Sequence, residues 1–188
     1  LLKANEELQQ EMQKKKSQNL KTREYSYNPD MSEWTTRKRY IDADLKANGY
    51  VFDQAAKRNC VEEEYPVTGM PNATGTGYAD YVIWGDTGKI IAVIEAKRAS
   101  ESADKGRNQG KLYADCIQNM QGSRPVIFYT NGFETYLWDD VTSAPRVVSG
   151  IFPQKDIDAM ISRRTIVKPV STIPINEDIT NRLYQLRA

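Results

Sequence analysis

Two apolar runs joined by a short turn constrain the fold of this chain more than any other feature. Residues 78–84 and 89–97 are rich in β-branched and aromatic side chains, and the segment Gly-Asp-Thr-Gly connects them. This pattern is typical of a β-hairpin. Residues 90–94 are apolar without alternation, which indicates a strand covered on both faces. The hairpin is therefore expected inside a layered fold.

A helix is predicted upstream of the hairpin. Asp30, followed three positions later by Glu33, resembles the capping box at a helix start. Gly49 is a typical helix end. The apolar stripe expected between these ends consists of Trp34, Ile41 and Leu45.

The remaining elements mix strand and helix patterns. Strands are predicted at 50–52, 61–67, 125–130 and 133–138, and the last two flank the turn dipeptide Asn131-Gly132. Apolar residues at helical spacing predict a helix that ends at Gly122 and a short one within 152–161. Together these elements predict an α/β (α+β) fold with a mixed central sheet flanked by helices.

The two ends of the chain differ from its middle. Residues 1–27 are charged and contain neither Gly nor Pro, which predicts a charged helix or the end of a coiled coil; a basic DNA-binding arm is the alternative. The central domain is expected over residues 28–164. Pro169 and Pro174 predict a linker within 165–188 that leads into another domain. We therefore expect the sequence to be part of a longer polypeptide.

The composition narrows the chemistry. The 188 residues include no histidine, which removes imidazole bases and two-histidine zinc sites. Cys60 and Cys116 have no companion ligands in the sequence, so buried reduced thiols are expected rather than a zinc site or a disulfide framework. Catalysis is left to carboxylates, Lys, Tyr or a metal ion.

Charge and hydropathy limit the partners. The formal net charge of +1 indicates no global polycation, so contact with nucleic acid requires a local arrangement of charge. No run of about 18 to 20 apolar residues and no signal-peptide pattern is present. The sequence predicts a cytoplasmic protein with no membrane partner.

Three charged residues on the hairpin form the candidate site. Residues two apart in a strand share a face, so Glu95 and Lys97 point the same way. If the two glycines of the turn pair, Asp80 lies opposite Val93 and shares that face. Diagonal neighbours in such a pair are roughly 7–8 Å apart, which allows one cation to contact both carboxylates.

Burial of these charges would be costly without a cation, because desolvation costs several kcal/mol per ion. The alternative is that the strand ends reach solvent, where Glu95 and Lys97 form an exposed pair worth roughly 0 to 1 kcal/mol. Carboxylates with few other ligands suit Mg²⁺, which is completed by water and phosphate oxygens. This combination indicates phosphodiester hydrolysis.

The same residues resemble a known signature. Asp80, followed by Glu95-Ala96-Lys97, resembles the active site of the PD-(D/E)xK nuclease superfamily, although Ala79 stands where the name has proline. The surrounding sequence resembles, over roughly 30–153, the nuclease domain of type I restriction endonuclease R (motor) subunits. The segments that carry this likeness are Thr36-Arg37, Ile41-Asp42, Gly49-Tyr50, Ala92 to Lys97, the QxxxY pair Gln109 and Tyr113, and Thr130-Asn131-Gly132.

The resemblance implies roles for individual residues. Asp80 and Glu95 would ligate Mg²⁺, with Mn²⁺ as a possible substitute, and the carbonyl of Ala96 would complete the site. Lys97 would orient the attacking water and stabilise developing charge. The metal activates the water, so that no histidine is needed.

A helical pair is expected to position DNA. Gln109 and Tyr113 lie on one helical face at positions i and i+4, and in the resembled family this pair holds the DNA backbone near the metal. The alternative for Tyr113 is core packing beside Ile117. Glu33 could approach the metal, or act only as a helix cap.

Basic side chains near the site are expected to contact phosphates without reading bases; their alternative is ordinary solvation of a helix surface. They are Lys97, Arg98, Lys105, Arg107 and Lys111.

The resemblance also implies the partners: double-stranded DNA, and the methyltransferase and specificity subunits of a restriction complex. ATP would be used only by a helicase motor in the full-length protein, which residues 165–188 would enter. Two alternatives stay open. The chain could be another PD-(D/E)xK nuclease, of the repair or modification-dependent type, or a non-catalytic module that binds DNA or a protein partner.

Overall fold

A sheet of six strands forms the centre of the protein. The computed structural model describes residues 32–53, 55–56 and 58–166. The strands are β1 (Val61–Thr68), β2 (Thr76–Trp84), β3 (Ile90–Ala96), β4 (Val126–Thr130), β5 (Thr135–Trp138) and β6 (Arg146–Val148).

The helices precede and interrupt these strands. A continuous helical run before the sheet consists of α1 (Glu33–Thr36), a π-helical segment (Arg37–Ile41) and α2 (Asp42–Ala47). A 3₁₀ turn (Ala103–Gly106) leads into α3 (Arg107–Gln121), and α4 (Gln154–Ile166) follows the last strand.

The strands lie side by side in chain order. Neighbours are antiparallel except β3 and β4, which are parallel. A parallel pair needs a long crossover, which the 3₁₀ turn and α3 supply. The predicted α/β fold with a mixed sheet is confirmed.

Apolar side chains cover both faces of the sheet. On one face the core includes Ile41 and Leu45 from the first helical run and Ile157 from α4. On the other face Tyr113 and Ile117 of α3 pack against the sheet. Every residue of β3 is buried between these layers, as its unbroken apolar run predicted.

The hairpin of β2 and β3 forms as predicted, but its register differs by two residues. The carbonyl of Gly85 accepts from the amide of Gly88, as the predicted turn requires, but the amide of Gly85 donates to the carbonyl of Lys89, which shifts the register by one. Ile83 pairs with Ala92 and Trp84 with Ile90, so that Ile91 is an extra residue and shifts it by one more. Val93 consequently lies opposite Val82, not Asp80. An even shift keeps every side chain on its face, so Asp80 still shares the face of Glu95.

The first helical run differs from the prediction at its start. Ser32 is the N-cap and its hydroxyl accepts from the amide of Thr35; Asp30 lies outside the described residues. Ile41 and Leu45 are buried, but Trp34 is 65% exposed, so its assignment to the apolar stripe was wrong. The π-helical segment between them holds an extra residue per turn, which rotates Trp34 by roughly 100° away from the stripe.

Smaller elements also differ. Residues 50–52 form no strand, and Val51 makes only an isolated bridge to Cys60. The short strand β6 was not predicted because its residues are largely exposed and show no apolar pattern. Helix α4 reaches Ile166, two residues into the range predicted as a linker.

The remaining predictions concern the two ends of the chain, the state of the cysteines and membrane-spanning helices. The charged helix predicted at 1–27 and residues 167–188 lie outside the described part. Cys60 and Cys116 are buried and not joined by a disulfide, as predicted. In the described part of the chain, none of the helices has the length and apolar character required to cross a membrane.

Candidate active site

Asp80 and Glu95 come together where the end of β3 lies beside the middle of β2. Oδ2 of Asp80 accepts a hydrogen bond of 2.7 Å from the backbone amide of Ala96. The side chain of Glu95 is only 2% exposed and that of Asp80 is 14% exposed. The alternative in which these acids reach solvent at a frayed strand end therefore does not hold.

Lys97 contacts one of the two acids directly. Its Nζ donates to Oε1 of Glu95 at 2.7 Å and to Oε1 of Gln109 at 3.3 Å. Its backbone amide donates to the carbonyl of Thr130 on β4 at 2.8 Å, which anchors the end of β3. The three residues predicted as catalytic thus converge, and Gln109 adjoins them.

Glycines let a helix approach Glu95 closely. A Cβ atom on Gly106 would lie 2.9 Å from Cγ of Glu95, and one on Gly110 would lie 3.0 Å from Ile127. The first contact is too short for a side chain, so only glycine at position 106 lets the 3₁₀ turn pack against this carboxylate. The second is tight, so a side chain at position 110 would force Ile127 to shift. This packing removes Glu95 from water.

Electrostatics leave the site short of positive charge. Burial, followed by the charge of Asp80, raises the pKa of Glu95 to about 8, although Lys97 opposes the rise. Burial also raises the pKa of Asp80, opposed by the Ala96 amide and by Arg37. Burial alone would lower the pKa of Lys97, but its hydrogen bond to Glu95 and the negative charges of Glu95, Glu33 and Asp80 together outweigh this effect, and the pKa is raised.

The residues present fit a divalent cation. Oε2 of Glu95 is buried and has no hydrogen-bond partner in the described part of the protein, although buried carboxylate oxygens are normally satisfied. A cation beside Asp80 would pair with this atom. Residues 32–53, 55–56 and 58–166 contain no group of three or more Asp, Glu, Cys or His side chains arranged to hold a metal. Such an ion would need backbone, water or phosphate oxygens as well, which is usual for Mg²⁺.

Gln109 and Tyr113 form a hydrogen-bonded pair on α3. Nε2 of Gln109 donates to the hydroxyl of Tyr113 at 3.0 Å, while its carbonyl oxygen accepts from Lys97. Tyr113 is only 4% exposed and belongs to the core cluster that contains Ile117. Burial raises its pKa, and the Gln109 hydrogen bond opposes this. Tyr113 therefore packs in the core and also contacts the site.

Glu33, the first residue of α1, influences the same site through its charge. Its negative charge contributes to raising the pKa values of Asp80 and Glu95, and it also acts on Lys97. Ser32, not Glu33, is the N-cap of this helix, and the approach of Glu33 to a metal stays a prediction.

Sequence reasoning missed the contacts of Arg37. Its Nη1 lies 3.3 Å from Oδ1 of Asp80 and 3.2 Å from Oε1 of Glu64, and its guanidinium lies 4.9 Å above the ring of Tyr81. Arg37 is one of three adjacent basic residues, followed by Lys38 and Arg39. Nothing in that run distinguishes it, apart from its place in the family resemblance.

Most basic side chains predicted to meet phosphates have partners within the protein. Lys105 pairs with Glu101 and Lys111 with Asp115, each across one helical turn. Arg107 lies over the ring of Trp138. Such surface pairs are weak, so these side chains remain able to rearrange around a phosphate backbone.

A cavity of about 700 Å³ lies away from Asp80, Glu95 and Lys97. It is lined by side chains of β6, α4 and the adjoining segments, including Arg146, Phe152 and Met160. A pocket of this kind is the usual place to seek a small ligand, but the carboxylates that could hold a cation lie elsewhere. We therefore place the candidate active site at Asp80, Glu95 and Lys97 and not in this cavity.

The comparisons with known proteins agree with the predicted family resemblance. Residues 58–146 match the family described as the type I restriction enzyme R protein N terminus. The fold matches a fragment assigned as an HsdR subunit of a type I restriction enzyme from Vibrio vulnificus YJ016, with a TM-score of 0.58 and 21% identity. That match covers 73% of this chain and 27% of the other, so the chain spans about a quarter of that protein's solved length. No curated protein matches the sequence. The resemblance is confirmed over residues 58–146, and the solved structure confirms the fold.

Proposed function

We propose that this R-protein domain is a Mg²⁺-dependent endonuclease that hydrolyses phosphodiester bonds of double-stranded DNA without local sequence preference. The observation that carries the proposal is the buried, unpartnered Oε2 of Glu95 beside the carboxylate of Asp80. Lys97 pairs with Oε1 of Glu95 and Arg37 with Asp80, but folding alone gives no reason to bury Oε2 of Glu95 without a partner. A divalent cation would pair with the two carboxylates, and a phosphate oxygen would complete the coordination of that cation.

Each residue of the site has a role in this proposal. Asp80 and Glu95, with the carbonyl of Ala96, would hold Mg²⁺ or Mn²⁺. When bound, the cation would supply an activated water and positive charge for the reacting phosphate. Lys97 uses two of its donors on Glu95 and Gln109, and its third can orient water or a phosphate oxygen. Gln109 and Tyr113 would hold the DNA backbone beside it.

The proposed assembly follows from the family match. Specificity and methyltransferase subunits would select the DNA, since a site built from phosphate contacts reads no bases. ATP would be consumed by a helicase motor in the full-length protein, not by the residues of this site. Such a complex would work in the cytoplasm, where the DNA and ATP are available.

The test is cleavage by the reconstituted restriction complex with near-isosteric variants. Asp80→Asn, Glu95→Gln and Lys97→Gln should each lower the cleavage rate on the order of 100-fold or more, because each removes a charge used at the reacting phosphate. Arg58→Gln, which alters the exposed pair with Asp86 at the turn end of the hairpin, is the charge-matched control and should cut normally. ATP hydrolysis should be unchanged in every variant. Wild-type cutting by the three site variants would end the proposal.

A further inference from the structure

We propose that Arg37 is a positioning residue for the cation site: it holds the carboxylate of Asp80 in the rotamer that a divalent cation requires. The inference rests on the proposed function, because it concerns the same pair of carboxylates. It assigns to the first helical run a part in the site that the catalytic signature does not include.

Arg37 fixes Asp80 at two points. Its Nη1 contacts Oδ1 of the carboxylate at 3.3 Å, and its Nη2 donates to the backbone carbonyl of Asp80 at 3.3 Å. The other carboxylate oxygen, Oδ2, is held by the amide of Ala96. Both oxygens are therefore oriented before any ligand binds, which leaves the carboxylate little freedom to rotate. Outer partners of this kind orient metal ligands in proteins.

Arg37 is itself held firmly. Its side chain is 8% exposed, and its guanidinium lies over the ring of Tyr81 while contacting the carboxylate of Glu64. Its Nε is buried without a hydrogen-bond partner among the described residues. A buried donor left unpaired lowers stability. The position of Arg37 therefore directs its two terminal nitrogens at Asp80 and Glu64, although this leaves its Nε without a hydrogen bond.

The backbone of Glu64 supports this arrangement. Glu63 pairs with Tyr81 and Tyr65 with Ala79, so Glu64 lies across from Asp80. Its φ of 49° is in the left-handed region, which is unfavourable for a residue with a side chain. Strain of this kind is concentrated at functional sites. Here it accompanies a carboxylate aimed at the arginine that orients Asp80.

A purely structural ion pair makes the opposite prediction for cation binding. A positive charge 3.3 Å from a ligand oxygen repels an incoming cation, so removing that charge should tighten binding if electrostatics alone matter. If Arg37 positions Asp80, removing it should weaken binding despite the lost repulsion. The sign of the change therefore separates the two roles.

The experiment is calorimetric titration of the 188-residue chain with Mn²⁺ and Mg²⁺. Arg37→Gln should weaken binding by about 10- to 100-fold, the usual effect of losing an outer partner. Arg37→Lys keeps the charge but loses the two-point contact, so it should also bind more weakly. Lys38→Gln is the matched control: it removes a neighbouring charge that pairs with Asp42 and Glu63, and its affinity should stay within about threefold of the wild type.

The outcomes separate this inference from the proposed function. Wild-type or tighter binding by Arg37→Gln overturns the positioning role and leaves the proposed nuclease intact. If Arg37→Gln does not fold, Arg37→Lys decides, and unchanged affinity in that variant overturns the role. A wild-type chain that binds neither cation overturns both proposals. Circular dichroism before each titration establishes which variants are folded.

Discussion

Lys97 donates a 2.7 Å hydrogen bond to one carboxylate oxygen of Glu95, while the other oxygen of Glu95 has no partner within the described residues. Lys97 therefore neutralises only part of the negative charge of Glu95, which also lies beside Asp80. We therefore expect the stability of the metal-free protein to depend on pH and on divalent cations, as the first two predictions state.

The metal-free chain should lose stability as the pH rises from about 4.5 to about 8. The pKa of Glu95 is raised from 4.5 to about 8 by burial and by Asp80, so the folded state binds a proton in this range that the unfolded state does not. The resulting stabilisation is complete below the unfolded pKa and is lost as the pH passes the folded pKa. Asp80, whose pKa is also raised, adds in the same direction.

Urea unfolding in EDTA at several pH values checks this prediction. The free energy of unfolding should fall by an amount on the order of a few kcal/mol between pH 5 and pH 8. Glu95→Gln cannot ionise and should show a much flatter profile. A wild-type profile as flat as that of the variant would contradict the raised pKa.

Divalent cations should restore the stability that ionisation removes. Because the cation pairs with ionised carboxylates and competes with protons, Mn²⁺ should raise the unfolding temperature more at pH 8 than at pH 5.5. A cation at 100 times its dissociation constant stabilises by about 2.7 kcal/mol. Differential scanning fluorimetry of the wild type and of Asp80→Asn measures the effect, and an equal upward shift in the variant would show that the cation binds elsewhere.

The pair on α3 allows a separation of packing from DNA positioning. Tyr113→Phe removes the hydroxyl that accepts from Gln109 and keeps the buried ring, so the free energy of unfolding should change by about 1 kcal/mol or less. If the hydroxyl and Gln109 hold the DNA backbone, the variant should cut more slowly at low DNA concentration while ATP hydrolysis is retained. Gln109→Ala should lower cleavage further, because it also removes a partner of Lys97. Normal cleavage by both variants would restrict Tyr113 to core packing.

The shared face of the candidate site could be predicted from sequence because it depends on local periodicity. An error of two residues in register leaves the faces unchanged, so the prediction survived the extra residue at Ile91 and the pairing of Gly85 with Lys89. The extra residue at Ile91 leaves no signal in an unbroken apolar run. The hydrogen bond from the Ala96 amide to the Asp80 carboxylate depends on the exact register and could not be predicted from periodicity.

The contribution of the first helical run could not be predicted in the same way. Arg37 contacts Asp80, which lies 43 positions further along the chain. Arg37 is the first residue of the π-helical segment, and the direction of its side chain depends on the geometry of that segment. Helical periodicity assumes a regular rotation per residue, so the same segment also misled the assignment of Trp34. Contacts that depend on tertiary packing and on a local change of helix type lie beyond pattern reasoning.

The positive φ of Glu64 should be measurable as strain. Glu64→Gly removes both the carboxylate and the cost of a left-handed residue, whereas Glu64→Ala removes the carboxylate and keeps that cost. A left-handed residue with a Cβ costs roughly 1 kcal/mol relative to glycine, and the ion pair of this exposed carboxylate with Arg37 contributes about 0 to 1 kcal/mol. Glu64→Gly should therefore be about 1 kcal/mol more stable than Glu64→Ala in urea unfolding, and at least as stable as the wild type.

Because the carboxylate supports Arg37, both variants should bind Mn²⁺ more weakly than the wild type by a similar factor. Equal stability of the two variants would show that the backbone at this position is not strained, and unchanged affinity would show that Arg37 holds its place without Glu64.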